Sequence, residues 1–496
     1  MNFPRSGVYP LSLFLLSLFN CASPPGKAPK NQPPRARISL DRGWRFHLGD
    51  PAGAERAGFD DSRWRRLDLP HDWSIEGKID LKNPTGWRGG FYPAGVGWYR
   101  KTLSWEPAWR GRKVRVDFDG VFMLSRVWIN GRLLGERPYG YIGFSYDLTP
   151  YLRRGKNILA VRVDDSKVPN VRWYPGCGIY RHVWLTVTGP VRLDKGEIFV
   201  STQSLSPDRA VLEIRAGVRN GSGSPLRLRV THSILDPRGR TIRTAGKALR
   251  VPAGGTAEAS LRAVVNDPLP WSPSSPSLYR LVTFLSDGKK ILDRLSTPFG
   301  IRTIRIDPAK GFFLNGKNLK FKGVCLHQDG GPVGSAVPED VWRRRFLLLK
   351  KMGCNAVRTA HNPAAPEFYD LCDELGLMVM DEAFDGWDRP KAKYDYGLYF
   401  KEWWRKDLEA FVRRDRNHPS VVIWSIGNEV PGYTLEMQKK LYDLVKSLDP
   451  TRPVTQGRGE KPGVLDIVGF NGRAENKGVL ERFHKRHPEV CSLGTE

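Results

Sequence analysis

The sequence predicts a three-part chain, two β-sandwich domains followed by a (β/α) barrel. Three observations carry this reading. Apolar residues alternate with period two up to about residue 302. At Ile304 the character changes, and helical segments begin to alternate with short apolar runs. The apolar runs then end in polar residues, the pattern of a barrel that carries chemistry at its strand C-termini. A chain of 496 residues is also too long for one ordinary domain.

In the first region, 37–190, short alternating runs (113–118, 125–129, 158–163 and 182–187) are punctuated by glycine turns, and Asn130-Gly131 is a hairpin signal. The second region, 191–302, continues the alternation in 212–218, 227–234 and 279–285, and its length suits a seven-stranded sandwich. No helix-period segment of any length interrupts either. In the third region, 303–496, helices are predicted from Pro338-Glu339-Asp340 to Gly353, over 366–376 and over 400–416. Seven strands are predicted at 321–326, 355–359, 377–383, 421–426, 453–456, 467–470 and 490–493.

The strand ends, read in order, give His327, then Arg358 with His361 and Asn362, Asp381-Glu382, Asn428-Glu429, Gln456, Asn471 and Glu496. Glu429 and Glu496 are the sharpest of these, because each closes an apolar strand with one carboxylate. Two carboxylates held in that way are the minimum equipment for cleaving a glycosidic bond. An Asn-Glu pair on a helix would be a solvated face, but here it ends a buried strand. His361 alone would read as a satisfied core histidine, and its strand-end position favours the site. The Trp403-Trp404 pair reads as core, and the arginine runs at 343–345 and 413–414 as solvated helix faces.

Composition narrows the partners. The net charge is +27, from 79 basic and 52 acidic residues, yet the basic residues are scattered without a stripe or an aromatic-basic motif. This argues against nucleic acid and favours a solvated basic surface. Residues 1–21 read as an export signal, with Arg5 ahead of the apolar core Leu11–Phe19, which is too short to span a bilayer. Cys21, with Leu18 three residues before it, resembles a lipoprotein processing site. Residues 22–36 would then be a Pro- and Lys-rich tether, and the protein periplasmic or attached at the outer membrane or cell surface; a plain cleaved signal or an anchor are the alternatives. The other five cysteines show no paired spacing, so neither a disulfide framework nor a zinc site is expected.

Several strings then resemble one family. Leu69-Pro70-His71-Asp72-Trp73, Gly95-Val96-Gly97-Trp98-Tyr99-Arg100, Phe118-Asp119-Gly120-Val121 and the run from Arg172-Trp173-Tyr174-Pro175 to Tyr180-Arg181 lie in the first region. Leu269-Pro270-Trp271-Ser272-Pro273 and Phe299-Gly300-Ile301-Arg302 bound the second, and Gly311 to Lys317 and Lys322 to His327 open the third. Together and in order they resemble glycoside hydrolase family 2, exported β-galactosidase-like members, over nearly everything after Arg37. The resemblance implies a sugar-binding jelly-roll domain, an immunoglobulin-like sandwich and a TIM barrel. It implies a retaining exo-β-glycosidase acting on β-galactosides in an oligosaccharide or polysaccharide, with Glu429 as general acid/base and Glu496 as nucleophile. By the same resemblance Asn428 bonds the sugar 2-hydroxyl and Arg358 orients the nucleophile. His327, His361, Asn362, Asp385, Trp387 and Asn471 line the sugar subsite, Trp387 as a stacking platform unless it is rim packing.

Two features depart from the family. Gly472 stands where an aromatic residue usually follows Asn471. The segment 303–496 is also short against the roughly 250 residues of a full barrel, so an eighth β/α unit is expected to be missing beyond Glu496. The alternatives are accordingly an impaired, carbohydrate-binding member, or a β-glucuronidase or β-mannosidase of the same family. No cofactor is expected, and a divalent cation finds no ligand cluster in the sequence.

Overall fold

The computed structural model describes residues 33–496 except Glu460, Arg473, Glu475 and Lys477. Residues 1–21, the expected export signal with Cys21, lie outside the described residues. Among the described residues no helix is long and apolar enough to cross a membrane.

The first region folds into two antiparallel sheets. The four-stranded one runs Arg35–Ser39, Val183–Thr188, Lys113–Phe118, Phe144–Asp147. The six-stranded one runs Arg65–Leu67, Trp44–Leu48, Val96–Ser104, Lys156–Asp164, Ser125–Ile129, Arg132–Arg137. Alternation does what period two demands: Val114, Val116 and Phe118 point into the core while the residues between them are half-buried. Asn130 and Gly131 take φ of 52° and 81°, the left-handed pair of a two-residue hairpin, and pair Ile129 with Arg132. A helical turn, Trp73–Glu76, breaks the all-β expectation; the Asp72 side chain caps it. The second region holds two four-stranded sheets, so eight strands stand where seven were expected, the addition being the short Val191–Leu193.

The third region begins with a three-stranded antiparallel hairpin (Ile304–Asp307, Gly311–Leu314, Lys317–Leu319) whose Phe312 and Leu314 pack with Met378, Met380, Val422 and Ile423 beneath the barrel. Seven parallel strands follow: β1 (Gly323–Leu326), β2 (Ala356–Thr359), β3 (Met378–Glu382), β4 (Val421–Asn428), β5 (Val454–Gly457), β6 (Ile467–Phe470) and β7 (Cys491–Gly494). The first five form one sheet and the last two another, with Thr455 Oγ1 donating to Ile467 O at 2.9 Å between them. Among the described residues five helices lie between them, with none between β5 and β6: α1 (Glu339–Lys351), α2 (Pro366–Leu375), α3 (Phe400–Asp415), α4 (Leu435–Leu448) and α5 (Val479–Arg486). The sequence reading names the first three; α4 carries its own signal, a Thr434 cap accepting from Met437 N.

All eight residues of β4 are buried, as a strand covered on both faces requires. Each large apolar side chain so buried stabilises the barrel by about 1.5–3 kcal/mol. The two expected core tryptophans of α3 are only half-buried, with Arg137 and Lys406 over the ring of Trp403. Arg414, expected at the surface, is instead largely buried and pairs with Asp415. Among the described cysteines, Cys325, Cys354 and Cys491 are half-buried and Cys177 and Cys372 are buried.

The first sandwich docks directly on the barrel. Tyr139 donates its hydroxyl to Ala383 O, Arg137 pairs with Asp407 of α3, and Arg181 Nη2 donates to Pro363 O at 2.8 Å. Asp72 is the centre of this contact. Its carboxylate accepts from Ser74 N at 3.0 Å, Cys177 N at 2.9 Å, the Tyr174 hydroxyl at 2.7 Å and Ser335 N of the barrel at 2.9 Å. Gly176 and Gly334, with φ of 70° and 62°, crowd the same carboxylate so closely that a Cβ would stand 2.6 and 2.4 Å from its Oδ2. One buried carboxylate thus ties the loop after Val171 to the loop after β1.

Candidate active site

The C-terminal strand ends converge on Arg358, which is 4% exposed. Leaving β2, its guanidinium donates to both oxygens of Glu382 at the end of β3 (2.8–3.2 Å) and to Asn428 Oδ1 at the end of β4 (2.9 Å). Its Nη1 donates to Thr495 O at 3.1 Å and to Glu496 Oε2 at 2.9 Å, just past β7. Asn471, past β6, donates to the same Glu496 oxygen at 2.9 Å and to Asn428 Oδ1 at 2.8 Å. Gly457, at the end of β5, makes room: a Cβ there would lie 2.5 Å from Arg358 Nη2. Four strand ends are therefore wired to one fixed positive charge.

Glu382 is completely buried, and also accepts from Ser425 Oγ at 2.6 Å and meets His361 Nδ1 at 2.8 Å. Burial alone would push its carboxyl up, but the Arg358 charge and the His361 and Ser425 hydrogen bonds outweigh it and hold it below the usual value. Burial likewise works against the charge of Arg358, and Glu382 overcomes it. The neighbouring Asp381 points the other way, to the Tyr369 hydroxyl and Thr359 Oγ1, and burial followed by the Asp415 charge pushes it well up. The sequence offers Asp381-Glu382 as an undifferentiated pair; strand alternation sends only Glu382 into the site.

Glu429 sits one residue past β4 in a left-handed conformation, φ 42°, with its N–H on Gly457 O at 2.8 Å. The shape is unfavourable for a residue with a Cβ. Arg172 Nη1 and Arg458 Nη1 each lie 3.7 Å from its carboxylate oxygens. Asp385 accepts from Arg172 through Nε at 3.1 Å and Nη2 at 2.7 Å, from Lys391 at 2.8 Å and from Asn428 Nδ2 at 2.9 Å. Burial opposes its charge, but the Arg172 bond and the Lys391 charge prevail and bring it down to about 2.

His327 and His361 stand edge to face at 5.6 Å, and Trp173 of the first sandwich lies against them at 5.0 and 5.7 Å. Burial and the nearby His361 push the His327 imidazole down. One expectation changes, and Asn362 makes a separate set of contacts. Trp387 is fully buried, donates its indole N–H to Ile426 O at 2.9 Å and stacks on Phe400, so it supports the rim from behind and offers no face to a sugar. Asn362 is 2% exposed and bonds Gln328 Oε1 at 3.3 Å, outside the Arg358 network. Sequence reasoning passes over Arg172, Trp173, Lys391 and Arg458; the first two sit inside a quoted sandwich string, with no local sign that they reach the barrel. Gly472, at the departure from the family pattern, donates its N–H to Glu496 O at 2.8 Å.

Away from the mouth, Asp370, Asp373 and His418 place ligand atoms within 4.8 Å of one another. Asp373 there meets His418 Nδ1 at 2.6 Å and accepts from Ser420 N at 2.9 Å, which pins the start of β4.

Carboxylates and amides gathered at the C-terminal mouth of a barrel, with a sandwich loop closing one side, place the chain among the multidomain glycoside hydrolases. Comparison with known proteins narrows that class. The chain belongs to glycosyl hydrolases family 2: residues 39–190 match the family's sugar binding domain, 192–302 its family 2 domain and 304–490 its TIM barrel domain. It is 46% identical over 482 residues to beta-galactosidase BoGH2A of Bacteroides ovatus, a match covering 88% of this chain and 57% of that protein. It is 42% identical over 459 residues to a putative beta-glucuronidase of Formosa agariphila, covering 92% and 43%. Among solved structures, a beta-glycosidase from Bacteroides vulgatus superposes with a TM-score of 0.89 at 47% identity, over 93% of this chain and 59% of that one. The chain thus spans about half the length of these relatives.

Proposed function

We propose that the protein is a retaining exo-β-glycosidase acting on terminal β-galactosides. The observation that carries the reading is the seating of Glu496. One of its carboxylate oxygens takes hydrogen bonds from both Arg358 and Asn471, at the same barrel end that presents Glu429. A carboxylate fixed by a guanidinium is suited to attack an anomeric carbon. In this reading Glu429 gives its proton to the glycosidic oxygen as the carbon–oxygen bond breaks and Glu496 forms the glycosyl-enzyme. Glu429 then takes a proton from water, whose oxygen releases the sugar and frees Glu496. Asn428, held by Arg358 and Asn471 through its oxygen, keeps its place beside both carboxylates.

Galactoside preference is supported by the likeness to the beta-galactosidase of Bacteroides ovatus. A second reading, β-glucuronide cleavage, is favoured by Arg172, Lys391 and Arg458 around the mouth and by the relatives named beta-glucuronidases. Hydrolysis of 4-nitrophenyl β-galactoside against the β-glucuronide separates the two. On the phenyl glycoside of the preferred sugar, whose leaving group needs the proton, Glu429→Ala is expected to lower the rate by about 10²–10⁴-fold; activity on it that survives the change overturns the assignment. Residues 1–21 support export with a lipid on Cys21, which fatty-acid labelling of the protein and its loss in Cys21→Ser would test.

A further inference from the structure

Arg172 belongs to the sugar-binding sandwich, yet its guanidinium ends between two carboxylates of the barrel. The Nε–Nη2 edge takes Asp385, at 3.1 and 2.7 Å, which leaves Nη1 facing Glu429 Oε2 at 3.7 Å. A planar fork holds its donors toward both carboxylates in one fixed geometry, which an ammonium on a flexible stem does not pre-organise. Among the described residues the Glu429 carboxyl makes no hydrogen bond, and the charged groups that come within 3.7 Å of it are Arg458 from the barrel and Arg172 from the sandwich. Its direction is therefore set by a pull from two sides, one of them supplied by another domain.

The loop that carries Arg172 is anchored at almost every step. Trp173 lies on His327 and His361, and the Tyr174 hydroxyl is on Asp72. Pro175 O accepts from Gln328 Nε2 at 2.5 Å and Ser335 Oγ at 2.8 Å, and Cys177 N is on Asp72. An exposed ion pair between loosely held side chains would contribute little. Here the arginine is held by a fastened backbone and Asp385 by Lys391, which is 8% exposed, and by Asn428.

We propose that Arg172 is a positioning residue of the hydrolytic site: it fixes Asp385 and steers the Glu429 carboxyl toward the oxygen it must protonate. The proposal rests on the glycosidase reading above. A proton donor has to come within about 2.6–3.2 Å of its acceptor, and a misplacement of about 1 Å can cost on the order of 100-fold. That cost falls on substrates whose leaving group needs the proton, and spares those whose leaving group departs as a stable anion.

The test compares Arg172→Ala and Arg172→Lys on phenyl and 2,4-dinitrophenyl β-glycosides, with thermal melting as the check on folding. Arg172→Ala is expected to lower kcat/KM for the phenyl glycoside by about 100-fold and to lower the dinitrophenyl rate by about ten times less. Arg172→Lys, which keeps the charge but not the fork, should fall between, and it carries the test if the alanine variant does not fold. Equal losses on both substrates, or losses below about threefold on either variant, overturn the proposal while leaving the glycosidase reading standing. A wild-type protein that cleaves neither substrate overturns both.

Discussion

Replacing Arg358 by methionine removes the charge that four strand ends share while keeping most of the side-chain volume. In the native protein Arg358 makes three contacts to Glu382, and both groups are almost fully buried. After the change Glu382 keeps only Ser425 Oγ and His361 Nδ1, so a buried carboxylate loses its counter-charge. Breaking a buried pair from one side costs about 3–5 kcal/mol. The pH dependence has a definite sign. Native Glu382 is held below its unfolded value of about 4.3–4.5, so its contribution is present above that value and lost as pH falls through the lowered one. In the variant only the His361 and Ser425 hydrogen bonds still oppose burial, so the carboxyl is pushed up relative to the native protein and protonation relieves part of the cost. Denaturant unfolding of both proteins at pH 7 and near pH 4.5 should show a deficit that shrinks by at least about 1 kcal/mol at the lower pH. The double variant Arg358→Met with Glu382→Gln should recover part of the loss at pH 7, because no charge remains unpaired. A deficit equal at both pH values and unchanged by Glu382→Gln would refute the reasoning.

Two further outcomes are expected. Asp385, at about 2 against 3.8 unfolded, contributes about 2 kcal/mol of stability that is present above pH 3.8 and lost as pH falls through about 2. Asp385→Asn should flatten the acid-unfolding curve in that window, and an unchanged curve would contradict the Arg172–Lys391 clamp. Trp387→Phe removes the bond to Ile426 O and part of a buried ring, so melting should reveal a loss of about 1–3 kcal/mol with little change in KM. A large rise in KM with unchanged melting would instead restore Trp387 as a sugar platform.

Much of this protein is legible along the chain because the physics is local. Apolar runs of four to eight residues must be buried strands, and the polar residue that ends each run is delivered to the barrel mouth. All seven strands and the gathering of Arg358, Asn428, Asn471 and Glu496 follow from that rule, and the first three helices from their own start and stop signals. The family resemblance adds the roles expected of Glu429 and Glu496.

Only the tertiary structure decides three other things. Asp381 and Glu382 are neighbours of one chemical type, and the pleat, not composition, sends one to Tyr369 and the other to Arg358. Trp387 looks like a sugar platform until α3 is packed behind it and Phe400 takes its ring. Arg172 lies 213 positions from Asp385, inside a sandwich, and nothing around it in sequence points to a barrel. Sequence by itself determines which side chains each strand presents, because alternation and burial act within a few residues. Which side chains meet across the sandwich–barrel contact depends on how the two domains dock, and there Asp72 joins both loops beside the contacts of Tyr139, Arg137 and Arg181.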